Sequence, residues 1–427
     1  MSDRPPVVPP SSVVSPPTES ALPSGLAAVQ RALQETEAVG FVHVGDRHDA
    51  DRRYLTRVDG PDRETAVVVL PGDEGQPPEA VYCVPTDTLS AAAGFEREST
   101  DELTRRVDGR DPATPVGRQI QRVLAERFGE SGDGATLLVP RDLPHDTAVF
   151  CQQAGYELRS TPAVTTARAT KTPVERDCLR AVGRAAAAGI ARGEAVLAAS
   201  QPTDGALVAD GRPLTVKRLV RLINAELALT GVSDAGNTRV TVGCVEDTTE
   251  SSTPLEPGAP IVLSVRPRGP RGYHGLLTRT LVVDGEGGWE RRAYVAAEAG
   301  LTAAEHHIEV GVGVSTVRGE ALAELGAYGF AVAPETDESD TRATASDESK
   351  PRATARVHGT GLSAHEPPAP GHDELGSGST IVVETGVEDP TRGTVRLGTT
   401  FVVTEDGTER LVAYPTSMTP VDRRDGA

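Results

Sequence analysis

Residues 358–367 read His358-Gly359-Thr360-Gly361-Leu362-Ser363-Ala364-His365-Glu366-Pro367. Two imidazoles stand seven residues apart with glycines between them, which is not the helical spacing of an HExxH zinc site. Glycine permits tight backbone turns close to a ligand, so both rings can reach one cavity. Taken alone, such a pair also has a purely structural reading.

Outward from this segment the chain alternates extended and helical patterns. IVLSVR (261–266), LLTRTLVV (276–283), TIVVET (380–385) and TVRLGTTFVV (394–403) predict strands, and roughly 290–328 is helical. Further upstream, Thr172-Pro173-Val174-Glu175 forms a capping box with Pro at the first helical position. Val174, Cys178, Val182 and Ile190 then share one face of a long helix. Another helix is expected from Thr215 to about Leu229, stopped by Gly231. Helices on a largely antiparallel sheet make residues 171–418 an α+β domain. Residues 26–165 predict a separate α/β domain, with LAAVQRALQETEA and DLPHDTAVFCQQAG helical and GFVHVG, TAVVVLP and GATLLVP extended. The Pro/Ser-rich residues 1–25 and the short segment 419–427 are expected to be tails, and the charged stretch 335–355 a flexible acidic insertion.

Composition narrows the class. Of 427 residues, 37% are hydrophobic, enough for a sizeable core, and no run of about 18 apolar residues marks a membrane span. Net charge is −19, and Lys171, Lys217 and Lys350 are the only lysines. No basic stripe is present to neutralise phosphates, which excludes a nucleic-acid binder. An acidic, Lys-poor chain suits a cytoplasm of very high salt, where screening tolerates self-repulsion; an acidic protein from a GC-rich mesophile is the alternative. Cys83, Cys151, Cys178 and Cys244 form no CxxC pair, which fits a reducing cytoplasmic location.

HGTGLSAHEPP resembles the HGxGxxxHExP signature of the pita-bread metallopeptidases, the superfamily of Xaa-Pro aminopeptidases, prolidases and creatinase. GYHGLLTRT (272–280), TIVVETGV (380–387) and VRLGTTFVVTEDGTERL (395–411) resemble that family's later motifs, in the same order. YLTRVDGPDR (54–63) is similar to a segment of the creatinase-type N-terminal domain, and KTPVERDCLRAVGRAAAAGIARGEAVL (171–197) to the helix that opens the catalytic domain. The resemblance implies a creatinase-like α/β N-terminal domain and an α+β pita-bread C-terminal domain, usually paired as a homodimer. It also implies two divalent cations, often manganese or cobalt, held by two Asp, one His and two Glu, which activate a water against the bond before proline.

Carried over residue by residue, the ligand set is incomplete. The metal His matches His358 and one Glu matches Glu384, but the remaining positions fall on Val265 (or Ser264, one residue back), Leu276 and Gly398. The second motif His, near the substrate in the family, matches His365. A further family His should lie near Glu250 or Ser251, where this chain has none. Glu366, Glu250 or Asp247 are conceivable substitute ligands. One imidazole and one carboxylate do not hold a close metal pair. No cofactor is therefore expected; an active enzyme would need the two cations. Arg279 and Arg396 read as structural ion-pair or anion-binding groups. His306-His307, at a predicted helix end, reads as a solvated pair, because consecutive helical residues diverge by about 100°.

Three functions stay open from the sequence. The first is a non-catalytic homologue binding a peptide or small molecule in the old site. The second is an active Xaa-Pro aminopeptidase with substitute ligands. The third is a metal-free, creatinase-like hydrolase using His358, His365 and Glu384.

Overall fold

A computed structural model describes residues 25–72, 77–100, 102–243, 252–332, 350–369 and 374–422. The expected tail before Gly25, most of the acidic insertion, Cys244, Asp247, Glu250 and Ser251 lie outside the described residues. The chain divides into two compact units that meet in sequence between Ala169 and Thr170.

The first unit runs α1 (Leu26–Thr36), β1 (Gly40–Gly45), α2 (Ala50–Thr56), β2 (Thr65–Leu70), β3 (Glu79–Pro85), α3 (Leu89–Glu96), β4 (Thr104–Arg110), α4 (Val116–Phe128), β5 (Thr136–Val139), α5 (His145–Gln153), β6 (Glu157–Ser160) and α6 (Ala163–Ala169). Its strands form one mixed sheet in the order β4-β3-β2-β1-β5-β6, and α4 covers a face rich in Val and Leu. Residues 50–56 are helical: the Asp49 side chain accepts from the Arg52 backbone N–H at 2.6 Å and so caps α2.

The second unit opens with α7 (Pro173–Ala198), a small sheet of β7 (Gln201–Thr203), β8 (Ala206–Ala209) and β9 (Arg212–Pro213), and α8 (Val216–Leu229). β10 (Thr238–Val242), β11 (Ile261–Val265), β12 (Leu277–Leu281), α9 (Trp289–His306), α10 (Val314–Ala327), β13 (Arg352–Gly359), β14 (Thr380–Asp389), β15 (Gly393–Thr404) and β16 (Gly407–Arg410) follow. The main sheet is antiparallel throughout, in the order β10-β11-β12-β15-β14-β13, with β16 on the β15 edge.

Alternation along these strands decides which side chains meet. From β11 to β15, odd-numbered residues carry the apolar face. Ile261, Leu263, Val265, Leu277 and Leu281 pack with α7 and α8, while Ile381, Val383, Val387, Val395, Leu397, Phe401 and Val403 pack with α9 and α10. Even-numbered residues stand on the opposite face. The predicted helical stretch 290–328 is two helices, broken between His306 and Val314, with His306 and His307 exposed at the break.

The expected insertion extended to 355, but Arg352–Ala355 belong to β13. Ala353 and Ala355 are small enough to look polar-loop-like in sequence, yet alternate inward and are buried. Past Thr419 the chain is also tied down, since the Val421 backbone N–H donates to Glu194 at 3.1 Å.

Candidate functional site

One cross-strand row assembles the site. Register pairs Ser264 with Thr278, Thr278 with Gly398, Gly398 with Glu384, and Glu384 with Arg356. Period-two alternation puts all five on the face away from the helices. His358, two residues from Arg356 on β13, shares that face.

Glu384 is the centre of the row and only 2% exposed. Its Oε1 accepts from the Thr278 hydroxyl at 2.9 Å, and that hydroxyl lies 3.1 Å from the Ser264 Oγ. Its Oε2 accepts from Nη2 of Arg266 at 2.5 Å. Burial pushes the Glu384 carboxyl up, but the nearby Arg266 and Arg396 charges and the Thr278 bond outweigh it and hold the group below its usual range.

Two stacked imidazoles complete the cluster. The His358 and His365 ring centroids are 4.1 Å apart with planes inclined at 33°. His358 donates from Nδ1 to the Gly359 carbonyl at 2.9 Å, which leaves Nε2 a bare acceptor, buried and without a hydrogen-bond partner. Burial pushes its pKa down to about 4, so the ring is neutral and a weak base. Nη1 of Arg266 faces Nε2 of His365 at 3.4 Å, and burial followed by the Arg266 charge lowers that imidazole too.

The motif loop is held by its own backbone. Gly359 donates to the Pro368 carbonyl and His274 to the Gly361 carbonyl, both at 2.7 Å. A side chain at Gly361 would collide with the Glu366 carboxylate. Glu366 is committed elsewhere than as a metal ligand: it receives Nζ of Lys171 at 2.5 Å, in a pair with side chains 1% and 3% exposed, and the Ser363 backbone N–H at 3.1 Å.

The positions expected to have lost ligands distribute unevenly. Gly398 adjoins Glu384 directly; a Cβ there would lie 2.7 Å from Glu384 Cγ, 3.1 Å from Thr278 Cβ and 3.2 Å from Leu276 Cδ2. Leu276 thus borders the same spot. Val265 does not: it is buried in the apolar core, and Ser264, the one-residue alternative, takes the place in the row.

Of the two readings of Arg279, structural or anion-binding, its bonds favour the structural one, with backbone carbonyls rather than an ion pair as partners. Its guanidinium, 2% exposed, donates to the carbonyls of Thr278 (2.8 Å), Gly398 (2.9 Å), Tyr414 (2.9 Å) and Pro415 (3.2 Å). Odd numbering turns it away from Glu384 and toward the segment after β16, and burial pushes its pKa down to about 10. Arg396 pairs with Glu388 on the neighbouring strand at 2.7 Å.

Sequence reasoning missed Arg266, one residue past the end of β11, and His274, half-buried beside the motif loop. A charged residue next to an expected ligand position was the available signal for the first. Among the described residues, no group of three or more His, Cys, Asp or Glu side chains is placed to hold a metal ion. No described helix is long and apolar enough to cross a membrane.

Comparison with known proteins is consistent in one direction. Residues 177–405 match metallopeptidase family M24. Among solved structures, the prolidase of Pyrococcus horikoshii superposes with a TM-score of 0.70 at 15% identity, covering 92% of this chain and 99% of that one. An Xaa-Pro dipeptidase of Bacillus anthracis gives 0.71 at 17%, covering 92% and 98%. An X-Pro aminopeptidase of Thermotoga maritima gives 0.70 at 16%, covering 93% and 99%. No curated protein sequence matches.

Proposed function

Given that this chain belongs to metallopeptidase family M24, we propose that it keeps the family's cavity for binding a small peptide or small molecule and does not perform metal-assisted hydrolysis. The ion pair between Arg266 and Glu384 carries this reading. A pair of divalent cations needs several carboxylates, each offsetting charge and screening the repulsion between the metals. Here the row supplies one carboxylate, and a guanidinium already lies 2.5 Å from it. The residues present do not fit the family's metals. Glu384 and His358 are what is left of the ligand set, with Val265 or Ser264, Leu276 and Gly398 at the positions of the others.

What remains suits recognition. The bare Nε2 of His358 accepts a hydrogen bond, and the stacked ring of His365 faces it across the cluster. Neither ring carries charge at neutral pH, so the pair reads neutral polar groups. His365 is the counterpart of the family's substrate-side imidazole.

One preparation in molar potassium chloride tests the reading. After incubation with manganese or zinc and desalting, elemental analysis should return no stoichiometric metal, and Xaa-Pro dipeptides should stay intact. Cleavage that a chelator abolishes would overturn the proposal. Light scattering on the same sample checks the expected homodimer, at twice the chain mass.

A further inference from the structure

We propose that the Arg266 guanidinium is a built-in cation: a tethered, non-exchangeable positive charge that stands against Glu384 where a divalent ion would otherwise bind, and so closes the site to such ions. The inference rests on the absence of a metal pair argued above and adds what replaces it.

Geometry supports it at each acceptor. Glu384 is buried, and a buried carboxylate needs a compensating charge as well as hydrogen bonds. Arg266 supplies the charge at 2.5 Å through Nη2, and Thr278 the second bond at 2.9 Å. Nη1 of the same guanidinium faces Nε2 of His365 at 3.4 Å. One side chain therefore engages both the carboxylate that a cation would need and the substrate-side imidazole beside it. Planar guanidinium suits this double contact better than an ammonium, being a rigid fork of donors. The Gly398 position, which leaves no room for even a Cβ beside Glu384, offers no second carboxylate to draw a dication in. An incoming ion would have to displace a charge that is covalently held.

Three variants of the full chain test the role: Arg266→Met, Arg266→Lys and the double variant Arg266→Met/Glu384→Gln. In chelator-treated buffer, Arg266→Met should lose on the order of 5 °C in Tm, because Glu384 is left without its cation. Millimolar zinc or manganese should restore most of that loss and bind stoichiometrically in calorimetry. Wild type should show neither response. Arg266→Lys should keep most of the wild-type Tm and stay indifferent to the ions. The double variant should recover stability in metal-free buffer and not respond to them, which separates this site from adventitious surface binding. An Arg266→Met protein as stable as wild type, or one destabilised but unmoved by any divalent ion, overturns the proposal. If Arg266→Met does not fold, a double variant that also fails to fold overturns it. Wild type that loads metal and cleaves Xaa-Pro dipeptides sinks both this inference and the preceding reading. An inert wild type with an ion-indifferent Arg266→Met removes only the tethered-cation role.

Discussion

The imidazole of His274 sits behind the motif loop with its Nδ1 buried and lacking a hydrogen-bond partner. Burial, followed by the Arg268 charge, pushes it from the ordinary 6.5 down to about 4. The unfolded chain takes up this proton below 6.5, whereas the folded protein resists until about 4. Stability is thus complete above 6.5 and lost as pH falls through that window, on the order of 3 kcal/mol for this residue. His358 shifts in the same direction and steepens the same limb. Replacing His274 by Leu should flatten the acid limb of the urea midpoint against pH; an unaltered limb would refute the assignment. Nothing in the sequence marked His274, since its burial comes from a loop some ninety residues later. The Arg266–Glu384 pair was illegible for a similar reason: its partners are 118 residues apart and meet only through three strand registers.

At the scale of elements, the start of α7 was the most legible feature. Thr172 and Glu175 form both halves of the expected capping box, and Tyr273, from the GYHG segment, donates its hydroxyl to Glu175 at 2.9 Å. Just ahead, Lys171 ties this helix to the motif loop through Glu366. Thr172→Ala should cost about 1 kcal/mol, the usual value for an N-cap. Lys171→Met should cost more, about 3–5 kcal/mol, because it removes the cation opposite a buried carboxylate. Lys171→Met/Glu366→Gln should regain much of that in guanidinium denaturation, and equal losses for the single and double variants would argue against a charge-pair origin. Strand positions were legible from β-rich runs, but strand phase was not. Whether Val265 or Ser264 faces the site depends on register with β12, and a shift of one residue exchanges the two faces. The Ala/Thr-rich opening of β13 escaped notice because small residues carry little apolar signal.

For the whole molecule, charge rather than packing sets the response to solvent. A net charge of −19 repels itself, and screening lengths shrink from about 10 Å at 0.1 M salt to about 3 Å at 1 M. Tm should therefore climb between 0.1 and 1 M potassium chloride; a flat or falling curve would contradict a surface adapted to high salt. The family was readable from motif order, as the match of residues 177–405 bears out. The guanidinium set against Glu384 was not readable there.

The single tryptophan, Trp289, is the first residue of α9 and belongs to the second unit. Indole emission is consequently a private reporter of that half of the chain and blind to melting of the other. Set beside circular dichroism, which averages over both, it turns an ordinary denaturation series into a direct count of cooperative transitions.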